Sequence, residues 1–158
     1  MSEAVYDWLA YFAEFDPDRL ATVDLHTGRS RGYGELNARA TRLATGLRES
    51  CGVRGGDRVA FLAQNSTDHF ETMFACWKIG AVFVPLNWRL APPEIAAILA
   101  GCTPRVVFHD TEFAPLVSSS PVLALERRQG ERGCAYEALI AAHAPTVRMA
   151  GVTHDTIN

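Results

Sequence analysis

The sequence predicts an α/β protein: a doubly wound, mainly parallel sheet layer with flanking helices, preceded by a short β-hairpin. Three observations lead there. Short runs that are apolar on both faces, RVAFLA, VFVPL and RVVFH, alternate with amphipathic helical stretches, the signature of buried parallel strands joined by crossovers. The right-handed crossover preference then winds helices onto both faces. Apolar residues at 48% and charged residues at 21% over 158 positions suit one ordinary globular domain and exclude wholesale disorder.

Taken in order, Val5, Trp8, Leu9 and Phe12 recur at helical spacing, and the Asp16-Pro17 turn ends that helix. Ala21–Leu25 and Gly28–Tyr33 flank His26-Thr27-Gly28, which predicts the hairpin. The clearest helix carries Tyr33, Leu36, Ala40, Leu43, Ala44 and Leu47 on one stripe, closed by Gly52 and the Gly55-Gly56-Asp57 turn. The strand Arg58–Ala63 leads into a helix with cap side chains at Asn65-Ser66-Thr67 and negative charge at Asp68 and Glu71. Its buried face is read as Phe70, Met73, Phe74 and Trp77, with Lys78 at the negative C-terminal end and Gly80 as cap.

Val82–Leu86 is the next strand, and Pro92-Pro93 opens the helix EIAAILAG. Arg105–His109 is a strand, after which Asp110 caps a brief turn that Pro115 stops. Val122–Leu125 is the last strand, and Tyr136, Leu139, Ile140 and His143 mark the last helix. Ser118–Ser120 and Arg127–Gly133 read as loops. The domain is expected over residues 1–145, with 146–158 as an extended tail.

Several function classes drop out. A net charge of −3 argues against nucleic acid or an anionic membrane as partner. The four cysteines form no CxxC pair and have no histidine at metal-ligand spacing, so no metal site is expected, and Cys76 and Cys102 read as small buried hydrophobes. The N-terminus lacks a basic signal region, and no apolar run reaches membrane-spanning length, so a cytoplasmic protein with reduced thiols is expected. Neither G-x-G-x-x-G after a strand nor G-x-x-x-x-G-K-[ST] occurs, and G-x-S-x-G is missing. His109 ends a strand on the side where doubly wound sheets bind ligands, yet such a histidine is more often a plain hydrogen-bonding residue. Arg89 follows a strand and precedes a helix, where it suits bidentate phosphate binding, although on spacing alone a surface arginine paired with a carboxylate such as Glu94 is the commoner arrangement.

Four segments, in order and spacing, carry a resemblance: YGELNARATRLATGL, GVRGGDRVAFLAQNS, FACWKIGAVFVPLNWRLAPPEIAAIL and PRVVFHD. Together they resemble the N-terminal part of adenylate-forming enzymes, most closely the fatty-acid and aryl acyl-CoA synthetases. Tyr33–Leu36 and Lys78–Asn87 match the first two core motifs of that family. The resemblance implies an ATP-dependent acid–CoA ligase that uses ATP, CoA and Mg²⁺ on a carboxylic acid substrate. It implies an architectural role for Lys78, Gly80 and Pro85, and makes Arg89, with Arg105 as a weaker second, a cofactor-binding candidate for the 3′-phosphate of CoA. The family's Ser/Thr/Gly-rich phosphate loop would follow Asp155–Asn158, so no catalytic residue is expected in this chain and no cofactor is expected on it in isolation. The expected partners are the remainder of a synthetase or a second copy of the chain through an exposed apolar face. A stand-alone interaction module and a flavodoxin-like binder using Gln64, Asn87 and His109 are the alternatives.

Overall fold

The computed structural model describes residues 7–117, 122–128 and 131–146. Helix α1 spans Trp8–Phe15 and is capped by Asp7, whose Oδ1 accepts from the Ala10 amide at 3.0 Å. The other Asp7 oxygen takes the Lys78 ammonium at 2.7 Å, so the buried Lys78 ties the first helix to the third. Val5 lies outside the described residues. Strands β1 (Leu20–Val23) and β2 (Ser30–Gly32) form the expected antiparallel hairpin. Its turn is closed by Asp24 Oδ1, which accepts from the His26 and Thr27 amides, and Gly28 sits at φ 70°.

Helix α2 (Tyr33–Glu49) buries Leu36, Ala40, Leu43, Ala44 and Leu47, the stripe read from the sequence. Then come β3 (Arg58–Leu62), α3 (Thr67–Ile79), β4 (Val82–Pro85), α4 (Pro92–Cys102) and β5 (Val106–Asp110). The chain ends its described part with α5 (Ala114–Val117), β6 (Leu123–Arg127) and α6 (Ala135–Ala141). The second sheet has the order β4-β3-β5-β6, every neighbouring pair parallel. Each βαβ connection uses a helix, as parallel pairing requires.

Both faces of that sheet are covered, which explains why its strands read as unbroken apolar runs. Val59, Phe61, Ala63, Val106 and Phe108 pack toward the face occupied by α2, α3 and α6. Ala60, Leu62 and Val107 point to the opposite face and meet Ile95, Leu99 and Val117 of α4 and α5. Gly80 closes α3 at φ 69°, a left-handed conformation that glycine adopts without steric cost. Thr103 closes α4 at φ 42°, which is rare for a β-branched residue. The Arg58 guanidinium holds it there through the Cys102 and Thr103 carbonyls and the Thr103 hydroxyl, at 2.7, 3.1 and 2.8 Å.

Four expectations need correction. The inward face of α3 is Asp68, Glu71, Thr72, Ala75 and Cys76, while Phe70 and Trp77 are exposed and Met73 and Phe74 half-buried. Amphipathicity misleads here because the two carboxylates are neutralised by buried arginines. Pro115 does not stop the segment after β5: a 3-10 turn over Thr111–Phe113 runs straight into α5, whose first turn tolerates the proline. Arg127 is not in a loop but ends β6, fully buried. Cys102 is only half-buried, unlike Cys51, Cys76 and Cys134. Ser118–Ser120 and the tail beyond Thr146, including Asp155–Asn158, lie outside the described residues.

Candidate functional site

The carboxyl ends of β3, β5 and β6 bring Gln64, Ser66, His109, Asp110 and Arg127 to one edge of the sheet, the edge where open α/β folds bind ligands. Arg127 organises it. Its Nε and Nη2 donate to Asp110 Oδ1 at 2.9 and 2.5 Å, and its Nη1 donates to Ser66 Oγ at 2.6 Å and Asp68 Oδ2 at 2.9 Å. The guanidinium carbon stands 5.4 Å from the centre of the Phe61 ring. Asp110 Oδ2 in turn accepts from the Gln64 amide at 2.9 Å, which fixes the loop leaving β3. The Ser66 hydroxyl is thereby diverted: Ser66 is the N-cap of α3 by position, but its side chain makes no cap bond to the helix.

The ionic cluster continues inward. Asp68 Oδ1 accepts from Arg29 at 2.8 Å. Glu71 receives both the Nε and Nη2 of Arg39, at 2.7 and 3.0 Å, and the Tyr136 hydroxyl at 2.9 Å. Arg39 also forks onto Glu137 of α6, and Arg31 pairs with Glu35. Burial pushes the Glu71 carboxyl above the usual carboxylate range, with the Arg39 bonds pulling it back. Burial would lower Arg39, but the hydrogen bonds and charges of Glu71 and Glu137 outweigh it and hold the guanidinium above its ordinary value. Burial, then the Glu71 and Asp68 charges, drives the Tyr136 phenol well above its ordinary value. These carboxylates are already matched by guanidinium groups, so the described residues do not fit a Mg²⁺ ion. Among them no cluster of His, Cys, Asp and Glu is arranged to hold a metal.

His109 is buried, and its Nδ1 lies 3.0 Å from the carbonyl of Asp110, the hydrogen-bonding role considered from sequence. His69, by contrast, is half-buried among the rings of Phe61, Phe83 and Phe70, at 5.4, 5.0 and 5.9 Å. Burial, reinforced by the nearby Arg127 charge, lowers its pKa from 6.5. A depressed histidine contributes stability that is present above the unfolded value and lost as the pH falls through the folded one. The His69 imidazole should therefore titrate below pH 6.5 by NMR. His69→Gln should flatten the acid-side decline in stability, and a midpoint at or above 6.5 would remove the argument.

The two cofactor candidates do not converge. Arg89 lies beyond the carboxyl end of β4, exposed, with its guanidinium stacked 4.3 Å from the centre of the Trp88 ring. Glu94 instead accepts from the Ala91 amide at 2.8 Å, closing the first turn of α4. Arg105 precedes β5 at the opposite edge, level with Arg58 and Val82, its Nε donating to the Cys51 carbonyl at 3.3 Å. The Arg89 guanidinium is engaged on Trp88 beyond the carboxyl end of the sheet and the Arg105 guanidinium on Cys51 at the amino end, so the structure does not bring the two together. Arg105 instead borders a cleft of about 1000 Å³ with Leu99, Pro104 and Leu116. A second cleft, about 790 Å³, opens between the hairpin and α3 and is lined by Val23, Tyr33, His69, Phe70 and Phe74.

Sheet order and crossover helices are those of the N-terminal α/β layer found in solved acyl-CoA ligase structures. The same layer occurs in the N-terminal domain of FACL13 from Mycobacterium tuberculosis, with a TM-score of 0.77 at 28% identity over 92% of this chain and 37% of that one. A benzoate CoA ligase from Burkholderia xenovorans LB400 superposes with a TM-score of 0.81 at 25% identity, over 93% of this chain and 30% of that one. The chain belongs to the AMP-binding enzyme family, whose model matches residues 9–152. It is 43% identical over 118 residues to a feruloyl-CoA synthase from an Amycolatopsis species, covering 75% of this chain and 23% of the relative. It is 37% identical over 155 residues to a long-chain-fatty-acid–CoA ligase from Thermus thermophilus, covering 92% and 28%. The chain thus spans about a quarter of the length of these curated relatives. No helix among the described residues is long and apolar enough to cross a membrane.

Sequence reasoning missed Arg127, Asp68 and Glu71 as the organisers of this edge. The signal available was weak: a Glu-Arg-Arg string at the end of a short strand, one acid in the first turn of a helix and a second a turn further on.

Proposed function

We propose that the intact protein is an ATP-dependent acyl- or aryl-CoA synthetase in which this chain forms the N-terminal scaffold. The observation that carries this reading is the family match across residues 9–152, together with relatives named for joining carboxylic acids to CoA. In this reaction a carboxylate oxygen bonds to the α-phosphorus of ATP as the bond to pyrophosphate breaks. The CoA sulfur then bonds to the acyl carbon as AMP leaves, and the thiol proton passes to a base. ATP, CoA and Mg²⁺ are the cofactors of the intact protein in this reading, and the isolated chain binds none of them and is inert in a cytoplasmic setting. The chain's own residues supply rigidity: the Arg127–Asp110 pair holds the β3–α3 loop against the edge where the second half of the site would meet it.

Arg89 is the residue of this chain that we assign to the CoA phosphate, since it is exposed at the carboxyl edge and pre-oriented by Trp88. Pyrophosphate release from ATP and a panel of carboxylates tests the reading. The purified chain should give none, whereas a chimaera in which it replaces the matching N-terminal segment of the Thermus thermophilus ligase should form thioester. In that chimaera Arg89→Ala should raise the KM for CoA by about 5-fold, one charge-assisted hydrogen bond at an exposed site, and leave adenylate formation unchanged. Turnover by the isolated chain, or an equal effect of Arg89→Ala on both half-reactions, would overturn the assignment.

A further inference from the structure

One polar pair takes no part in the ionic cluster or in the carboxyl edge of the sheet. Ser50 closes the last turn of α2, exposed, and its Oγ lies 2.9 Å from Nε2 of His143, which follows α6. The other ring nitrogen, Nδ1, lies 2.8 Å from the Leu139 carbonyl. A carbonyl can only accept, so Nδ1 carries a proton. In the neutral ring Nε2 is then bare, and the Ser50 hydroxyl donates to it. Two contacts hold the imidazole in place. Gly46 lets α6 close on α2, since a Cβ there would stand 2.8 Å from Leu139 Cγ and 3.1 Å from His143 Nδ1. Thr45 Oγ1 meets Thr146 Oγ1 at 3.3 Å and fastens the segment after α6 a second time. Ser50 also lines the 1000 Å³ cleft at the amino end of the sheet, and so does Arg105. Arg105 uses only Nε, on the Cys51 carbonyl, and its two Nη groups have no hydrogen-bond partner among the described residues. Leu99, Ala100 and Leu116 supply an apolar wall.

We propose that Ser50 and His143 are a nucleophile–base dyad that hydrolyses uncharged esters of apolar carboxylic acids, with the acyl chain along the apolar wall and Arg105 facing the carbonyl oxygen. A hydroxyl on one ring nitrogen, an orienting acceptor on the other and a free cation on the same cleft are the parts of nucleophilic acyl transfer, which is recognised by geometry and not by chain order. In the first step Ser50 Oγ bonds to the ester carbonyl carbon as its proton passes to His143 Nε2. The bond to the alcohol oxygen then breaks, and the alcohol leaves with that proton. In the second step a water oxygen bonds to the acyl carbon while its proton passes to Nε2, and Ser50 Oγ takes the proton back as the acid is released. The negative oxygen formed in each step faces the free Nη groups of Arg105. The imidazolium is favoured by the carboxyl-terminal end of α2 beside it. Asp57, which also lines the cleft and accepts from the Arg54 amide at 2.8 Å, disfavours an anionic ester. The reaction needs neither ATP nor CoA and lies at the other end of the sheet from Arg89, so it is separate from the synthetase reaction.

Hydrolysis of p-nitrophenyl butyrate by the purified chain, followed as nitrophenol release, tests the proposal. The chain should exceed the rate in buffer alone and lose that activity on treatment with a fluorophosphonate, whose phosphorus should be found on Ser50 by peptide mass spectrometry. His143→Gln should lower kcat/KM by at least about 100-fold, the low end of what a positioned general base contributes, and slow the labelling in parallel. Ser50→Ala should abolish hydrolysis and labelling with far-UV circular dichroism unchanged, and Ser30→Ala, at an exposed serine of β2, should alter neither. Arg105→Ala should lower kcat by about 10-fold, less than loss of a buried oxyanion donor because Arg105 is exposed. Hydrolysis no faster than in buffer, an adduct on another serine, full activity in Ser50→Ala or His143→Gln, or an unchanged kcat in Arg105→Ala would each overturn it. Nitrophenol release reads this reaction and pyrophosphate release reads the synthetase reaction, so the two readings fail independently.

Discussion

Arg127→Met should lower the unfolding free energy by about 3–5 kcal/mol, the cost of removing one partner from a buried ionic group. The guanidinium donates to Asp110, Asp68 and Ser66 in a place with 1% exposure, and methionine of similar length satisfies none of them. Asp68 retains Arg29, so the larger share of the penalty falls on Asp110 and on the freed Ser66 hydroxyl. Urea denaturation followed by circular dichroism measures it. The adjacent Arg128, whose partners Glu126 and Glu131 are on the surface, provides the internal control: Arg128→Met should stay within about 0.5 kcal/mol of the parent. Equal effects at the two positions would show that the cluster does not close this edge.

Phe108→Ala should cost a similar 3–5 kcal/mol by a different route. Phe108 lies in the middle of β5, fully buried, with β3 on one side and β6 on the other. Its ring meets Tyr136 edge to face, centroids 5.1 Å apart at 83°, so truncation opens a cavity and also releases the aromatic contact that seats α6 on the sheet. Hydrogen exchange should show α6 losing protection beyond the global change. Ile98→Ala, at a surface position of α4, should cost far less. If α6 exchanged no faster than the rest, the ring contact would be incidental to its docking.

How much of this was legible in advance depends on the kind of burial. β3, β4 and β5 were readable because both sheet faces are covered and their central residues, Val59–Leu62, Val82–Val84 and Val106–Phe108, form unbroken apolar runs. α2 was readable because its one buried stripe is aliphatic. The helix α3 was readable but its inward face was not, since periodicity treats a carboxylate as a solvent-facing residue, and Asp68 and Glu71 become inward residues only through arginines 29, 31, 39 and 127, from the hairpin, α2 and β6. The same long-range pairing hid Arg127, which has nothing in its neighbourhood to distinguish it from Arg128. Arg89 and Arg105 were set side by side as candidates because the family resemblance offered both for one anion, while the structure leaves them at opposite ends of the sheet. The family resemblance reached the fold and the class through linked motifs, but those motifs are architectural and contain no information about the ionic cluster.

The outermost position of β6 has a consequence for how the polypeptide is made. Synthesis is vectorial, and domains begin to organise while the ribosome is still adding residues at about 5–20 per second. The stretch through Asp110 can complete three adjoining strands, β4, β3 and β5, as soon as it clears the exit tunnel. At that stage Asp110 and one oxygen of Asp68 await a cation that sits 17 and 59 residues downstream of them. Until Arg127 has been added and has emerged, Asp110 and one oxygen of Asp68 lack the guanidinium that bridges them.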